Sequence, residues 1–189
     1  MRYTFVKQHD ATDCAAACMA MVCLHYKKET TITRLRDMMG TDLKGTNLIG
    51  LSKCADELGF MSQAVRVDRE GFLSKYTLPA IANIITKEGL SHFVVVFKIT
   101  DKHVIVGDPA KDLEKLEIDE FYKNFTGAML LLKPNEKFVG KHTRKTTAFQ
   151  IFHIRLPTFH PLHHRYIFIV TEWINRKFDV SSRQESSQF

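Results

Sequence analysis

The chain has 189 residues, of which 44% are hydrophobic and 25% charged, so it holds enough apolar material for a folded core and is not a wholly disordered protein. Its net charge of +6 is spread unevenly: residues 1–134 hold 18 Lys and Arg against 17 Asp and Glu, whereas residues 135–189 hold 9 against 4. The main body therefore lacks the basic surface expected of a nucleic-acid-binding domain.

The distribution of apolar residues and cysteines argues against a membrane-spanning protein and against a secreted, disulfide-bonded one. No apolar run approaches the roughly 18–20 residues of a membrane-spanning helix, and the first residues lack the apolar stretch of a signal peptide. The 4 cysteines form no CxxC pair. Three of them fall on one predicted helix, which is a poor disulfide framework, so we expect a reducing compartment.

The first predicted helix begins at a cysteine. Asp10, Thr12 and Asp13 are residues that favour helix starts, and an alanine-rich run follows Cys14. Cys14 is therefore expected in the first helical turn, where unpaired backbone N–H groups and the helix dipole favour a thiolate. Such a setting suits a nucleophile, although a cysteine in an alanine-rich helix is more often a packing residue.

Two more helices are predicted before residue 60. One starts near Thr31 and stops at Gly40, and the next is capped by Asn47 and stopped by Gly59. From residue 60 onward, alternating and continuous apolar runs predict strands, with helical turns at 72–76 and 118–125. The predicted strands cover residues 64–67, 78–85, 92–99, 103–106, 113–118 and 128–132. Helices followed by a sheet indicate an α+β fold with the helices packed on an antiparallel sheet.

The domain organisation predicted is one domain over residues 1–134, a basic linker over 135–147, and a tail over 148–189 that is partly disordered. The tail holds a cluster of histidines, but proline interrupts helical ligand spacing, and no acidic or cysteine ligand lies nearby. We therefore expect no metal site and no cofactor. The histidines are His153, His160, His163 and His164.

Four polar residues in order along the domain fit thiol catalysis. A thiolate at Cys14 attacks a carbonyl, a histidine at His92 transfers the proton, and an acidic group at Asp108 orients the histidine. Gln8, just upstream of the helix, is placed to donate its amide to an oxyanion. His92 starts one strand and Asp108 follows the next, so a hairpin brings them to the same open end. Each residue alone has an ordinary structural explanation, and the substrate stays open.

These residues also carry a resemblance to a known family. The sequence resembles the peptidase domain of bacteriocin-processing ABC transporters, cysteine peptidase family 39, which has a papain-like fold. The resemblance covers about residues 1–134. The matching motifs are Gln8-x-Asp10-x-x-Asp13-Cys14, Ser91-His92-Phe93-Val94-Val95 and Val106-Gly107-Asp108-Pro109-Ala110.

The resemblance implies a cytoplasmic cysteine endopeptidase that cleaves a leader peptide after a double-glycine motif, coupled to export by an ABC transporter at the cytoplasmic face of the bacterial inner membrane. It implies that Cys14 is the nucleophile, His92 the general base, Asp108 the orienting residue and Gln8 the oxyanion donor.

The sequence departs from the pattern of this family in two places. Ala15 follows the nucleophile where the family often has glycine, and residues 135–189 contain neither a membrane span nor an ATP-binding motif. We expect a stand-alone or truncated peptidase, or a tail that docks on a membrane partner.

The resemblance also implies that a shallow hydrophobic surface of the domain binds an amphipathic leader helix. The residues proposed for this surface share an apolar, adaptable or aromatic side chain outside the first helix, although each is more often a core residue. They are Met38, Met39, Leu43, Phe60, Met61 and Phe72. Two alternatives remain at this point: a module that binds leader peptides without cleaving them, and another Cys-His-Asp enzyme such as an amidase or acyltransferase.

Overall fold

The computed structural model describes residues 3–43 and 45–138. These residues form five helices and six strands. In chain order they are α1 (Cys14–His25), α2 (Ile32–Met39), α3 (Leu48–Glu57), β1 (Phe60–Arg66), α4 (Arg69–Leu73), β2 (Ala80–Ile85), β3 (Ser91–Ile99), β4 (His103–Gly107), β5 (Leu113–Glu117), α5 (Ile118–Asn124) and β6 (Phe125–Pro134). Within the described ranges, no helix combines the length and the apolar character needed to cross a membrane.

The six strands form one sheet in the order β1-β6-β2-β3-β4-β5, and all neighbouring pairs are antiparallel. Strands β3 and β4 are adjacent hairpin strands, with Val96 opposite Val106. The prediction of an α+β fold with helices on an antiparallel sheet is confirmed, and so is the predicted hairpin. The open end of this hairpin carries His92 and Asp108.

Both faces of the sheet are buried, because its central strands place alternate side chains into two separate cores. On one face Val95 packs with α1, α2 and α3, and on the other Val94 and Val96 pack with Phe72 and Phe121. This double burial explains why the sequence of β3 is an almost continuous apolar run with a burial pattern to match.

Local sequence signals fix the helix ends. Thr31, Asn47 and Asp68 each accept a hydrogen bond from a first-turn N–H of α2, α3 and α4, and Gly40 ends α2 in the left-handed conformation. The helical turn predicted at 72–76 is displaced to Arg69–Leu73, because Asp68 caps it three residues before Gly71. The strand predicted at 64–67 starts earlier, at Phe60, whose ring is buried against α1 residues and Phe138.

The compact region continues past the predicted boundary at residue 134. Phe138 is 7% exposed, and its ring centroid lies 4.7 Å from that of Phe60. Lys28 packs over the same ring and donates to the carbonyl of Leu58 at 2.7 Å. The remainder of the predicted linker and the tail, with its four histidines, lie outside the described residues and stay predictions.

Substitution of Gly59 tests this arrangement. Gly59 has φ +92°, and a Cβ atom there would lie 2.7 Å from the Cα of Phe138, which is backbone and cannot move aside. We expect Gly59→Ala to lower the free energy of unfolding by about 2–4 kcal/mol. Gly40→Ala is the matched control, because Gly40 also has positive φ but has open space around it. We expect it to lose only about 1–2 kcal/mol in urea denaturation. Equal losses for the two variants would contradict the packing described here.

Candidate active site

Cys14 is the first residue of α1 and is 7% exposed. The N–H groups of a first helical turn have no acceptor within the helix. Asp13, at the N-cap position, makes no side-chain hydrogen bond to them. Cys14 therefore lies beside backbone donors that its own N-cap residue leaves unused. All four cysteines are free, and Cys18, Cys23 and Cys54 are fully buried.

His92 is held at the start of β3 by a buried amide on the neighbouring strand. Its partner in the β2–β3 register is Ile84, and Asn83 donates to the carbonyl oxygen of His92 at 3.2 Å and to Ser91 Oγ at 2.8 Å. Thr126 in turn donates to the side-chain oxygen of Asn83 at 3.1 Å. Three strands thus fix the backbone that carries the imidazole.

The side chains of His92 and Asp108 meet at the open end of the β3–β4 hairpin. Nε2 of His92 lies 2.7 Å from Oδ1 of Asp108, and both side chains are almost fully buried. The N–H of Ala110 donates to the same oxygen at 3.0 Å, and Nζ of Lys111 lies 3.3 Å from Oδ2. Asp108 is therefore oriented by its own turn, and His92 also interacts with the Cys14 side chain, which helps to raise the pKa of His92. Because Nε2 of His92 is hydrogen-bonded to Asp108, Nδ1 is the ring nitrogen that remains available to the Cys14 thiol.

These contacts shift the titration of His92. Burial lowers the pKa of His92, but hydrogen bonds to Asp108 and Cys14 and the charges of both partners outweigh burial and raise the pKa to about 9. Burial raises the pKa of Asp108, yet the hydrogen bond to His92 and the charge of that ring bring it below its ordinary value. Since the pKa of an unperturbed histidine is near 6.5, the contribution of protonated His92 to stability is fully present below about pH 6.5 and is lost as the pH rises through about 9.

Gln8 lies beside the turn that carries Asp108, because its backbone N–H donates to the carbonyl of Pro109 at 2.9 Å. Its amide oxygen is buried and has no hydrogen-bond partner among the described residues. The sequence predicts all four site residues, Gln8, Cys14, His92 and Asp108. The structure gives His92 direct contacts with both Cys14 and Asp108, and it ties Gln8 to the same turn through its backbone.

The six apolar residues predicted for leader binding are not brought together in one surface. Met39, Phe60 and Phe72 are 6%, 1% and 0% exposed, so they belong to the core and present no surface to a peptide. Met38 is half-buried against the core of α1. Leu43 and Met61 are 97% and 57% exposed and are accessible to a partner.

Sequence reasoning missed two residues that support the site. Asn83 interrupts the apolar run of β2, and an amide at a buried strand position is a signal that it has a specific partner. Arg36 of α2 pairs with Asp13 at 2.5 Å, immediately before Cys14. No local pattern marks Arg36, since its partner lies on a different element. Within the described ranges, no group of three or more His, Cys, Asp or Glu is placed to hold a metal ion.

Removing the charge of Asp108 tests whether this carboxylate raises the pKa of His92. We expect Asp108→Asn to lower the pKa of His92 from about 9, because both the charge and the hydrogen bond of Asp108 raise it. An NMR titration of the His92 ring measures this directly. Glu114→Gln is the control: Glu114 lies 3.6 Å from Lys111 and is not among the groups that shift His92. An unchanged His92 titration in Asp108→Asn would show that the pair does not set its protonation.

Several curated relatives align with about 70% of the chain. The lactococcin-G-processing and transport ATP-binding protein LagD of Lactococcus lactis subsp. lactis is 40% identical over 134 residues, which is 70% of this chain and 19% of that protein. The transport/processing ATP-binding protein ComA of Streptococcus pneumoniae is 33% identical over 135 residues, 69% of this chain and 19% of that protein. The chain thus matches about a fifth of the length of these relatives.

Two solved structures match the described domain closely. The peptidase domain of Streptococcus ComA superposes with a TM-score of 0.67 at 30% identity, covering 71% of this chain and 100% of that one. A double glycine motif protease from an AMS/PCAT transporter, in complex with the leader peptide, superposes with a TM-score of 0.66 at 30% identity, covering 71% and 93%. The papain-like α+β fold expected from the sequence is thereby confirmed. The family model described as Peptidase C39 matches residues 2–137, and the chain belongs to this family of cysteine peptidases.

Proposed function

We propose that this domain cleaves the leader from a secreted peptide precursor after a double-glycine motif, with Cys14 as the nucleophile. The observation that carries the proposal is the contact of one buried histidine, His92, with both a helix-start cysteine and an oriented carboxylate. This is the arrangement that thiol catalysis of acyl transfer requires. The leader substrate is supported by the matched double glycine motif protease, whose structure holds a leader peptide.

In the first half-reaction, the Cys14 thiolate attacks the carbonyl carbon of the second glycine, and the carbonyl π electrons move to oxygen. As the tetrahedral intermediate collapses, the C–N bond breaks and the departing amine takes a proton from the His92 imidazolium. The leader remains as a thioester on Cys14 and the mature peptide leaves. The raised pKa of His92, about 9, keeps that proton available at neutral pH.

In the second half-reaction, His92 takes a proton from water, and the resulting hydroxide attacks the thioester carbonyl. The C–S bond then breaks, which releases the leader as a carboxylic acid and restores the thiolate beside protonated His92. Asp108 keeps Nε2 of His92 occupied throughout at 2.7 Å, so the imidazole presents Nδ1 to the reacting atoms.

The developing oxyanion in both half-reactions is assigned to two kinds of donor. The unused N–H groups of the first turn of α1 lie next to Cys14. The Gln8 side chain is the second donor, held near the site by the backbone bond from Gln8 to Pro109. Donors fixed in place before the reaction stabilise the negative charge without reorganising.

Leader docking is assigned to the exposed apolar residues that remain of the predicted set. Leu43 lies in a tight turn in which Asp42 and Gly45 exchange backbone hydrogen bonds, and a Cβ atom on Gly45 would lie 3.9 Å from the carbonyl oxygen of Thr12. Leu43 is therefore an exposed leucine next to the loop that leads into Cys14. We propose that it contacts the leader, with Met38 and Met61 as further candidates.

We further propose that the domain acts at the cytoplasmic face of the bacterial membrane next to an ABC transporter that exports the mature peptide. The relatives named above are transport and processing ATP-binding proteins, which supports this pairing. A module that binds leaders without cleaving them explains less, because it gives no reason for a buried His92–Asp108 pair in contact with Cys14.

Replacing the nucleophile tests the proposed reaction. We expect Cys14→Ala to lower the cleavage rate of a double-glycine precursor by about a thousandfold or more, because no thioester can form. Mass spectrometry of the two products measures the rate and the cleavage position. Cys54→Ala is the matched control, since it removes another buried thiol, on α3, and should leave the rate close to that of the wild type. Wild-type cleavage by Cys14→Ala would refute the assignment.

A second substitution tests the oxyanion donor. We expect Gln8→Ala to lower kcat by about 100- to 1,000-fold with little change in KM, because the amide acts on the intermediate and not on the bound peptide. Gln63→Ala removes an exposed glutamine from β1 and serves as the control. An equal, small effect of the two substitutions would remove Gln8 from the mechanism.

A further inference from the structure

The residue directly before the nucleophile, Asp13, has a buried carboxylate. Both of its oxygens have partners outside α1. Asp13 has a side chain only 2% exposed, and its Oδ1 lies 2.5 Å from Nη1 of Arg36 on α2. Its Oδ2 accepts the backbone N–H of Asp10 at 3.1 Å. The same Arg36 nitrogen lies 3.5 Å from a carboxylate oxygen of Asp10. A single cation thus holds the loop that runs into Cys14.

Asp13 behaves unlike the N-cap residues of α2, α3 and α4. Aspartate is among the strongest N-cap residues, and its carboxylate ordinarily accepts a first-turn N–H. Thr31, Asn47 and Asp68 do this for α2, α3 and α4. Asp13 makes no such bond, and its backbone has φ −88° and ψ −1° in place of the extended conformation of those three caps. Glu117 at the start of α5 also makes no cap bond, but glutamate is not among the residues that favour this position, whereas aspartate is. The helix that carries the nucleophile thus lacks a cap although its N-cap residue is a strong one.

We propose that Arg36 is a positioning residue that holds the Asp13 carboxylate away from the N-terminus of α1. The first-turn N–H groups then remain open to the oxyanion, and the carboxylate charge next to Cys14 is compensated by Arg36. Without Arg36, the carboxylate is free to cap α1 and to compete with the oxyanion for the same donors. An uncompensated carboxylate also opposes formation of the adjacent thiolate. The inference rests on the proposed thiol mechanism and adds a residue from α2 to it.

The proposal predicts an asymmetry between the two members of the pair. We expect Arg36→Met to lower kcat by about 10- to 100-fold with little change in KM, because it misplaces a group at the reacting centre. Asp13→Ala removes the competing carboxylate itself, so we expect it to lose less. The double variant Arg36→Met/Asp13→Ala should regain about tenfold in kcat over Arg36→Met alone. If the Arg36–Asp13 pair had only a structural role, losing either residue would lower kcat equally, and the double variant would show no recovery.

The control is Arg34→Met, which removes an exposed arginine from the same helix and should match the wild type. Arg36→Lys keeps a cation near Asp13 and should retain most of the activity. If Arg36→Met does not fold, Arg36→Gln, which also removes the cation, takes its place: an Asp13→Ala variant less active than Arg36→Gln overturns the proposal.

A measurement that needs no peptide separates this inference from the proposed function. The rate of alkylation of Cys14 by iodoacetamide, located by mass spectrometry, should fall about tenfold in Arg36→Met and recover in the double variant. If the wild type does not cleave a double-glycine precursor, the proposed substrate is wrong, whereas the alkylation rates still test Arg36. Equal alkylation rates in the wild type and Arg36→Met, together with equal kcat, overturn the inference.

Discussion

The rest of the structure depends on one constraint: α1 is at once the centre of the core and the start of the active site. Ten of its twelve residues are buried, and most of them are Ala, Cys or Met, which fit where α2, α3 and the sheet close in. A helix packed on all sides has one permitted position along its axis, because any slide opens cavities and creates overlaps. The first turn of α1 is thereby fixed against β3. The Cys18 thiol adds a direct link, since it donates to the carbonyl oxygen of Phe93, the residue after His92, at 3.2 Å.

The second constraint is that the charges of the site are buried and must each have a partner. An isolated buried ion costs several kcal/mol, so the burial of Asp108 and Asp13 is tolerable only with cations in contact. Asp108 has His92 and Lys111, and Asp13 has Arg36. These cations come from β3, from the turn after β4 and from α2. The site is complete only when those elements are in place, which makes the catalytic geometry a property of the whole domain.

Much of this domain is predictable from the sequence because its signals are local. The start of α1 at Cys14, the cap at Asn47, the stop at Gly40 and the β3–β4 hairpin follow from capping residues and apolar periodicity. The contact of His92 with Asp108 follows from that hairpin. The Arg36–Asp13 pair and the Asn83 support do not, because each depends on side chains from elements whose relative placement is set by packing. For the same reason the sequence pattern wrongly predicts Phe60 and Phe72 as surface residues, whereas they fill the two cores on either side of the sheet.

The helix that carries the nucleophile lacks a stabilising cap that three other helices of the domain have. Thr31, Asn47 and Asp68 satisfy first-turn donors and stabilise α2, α3 and α4, each by about 1 kcal/mol. At α1 the side chain of Asp13 makes no such bond and is held by Arg36 and the N–H of Asp10. A fully capped helix start would offer an oxyanion fewer donors, so leaving it uncapped weakens the fold locally and strengthens binding of the transition state. The domain tolerates the missing cap because burial along its whole length stabilises α1, so the N-terminus of the helix does not need a cap to stay helical.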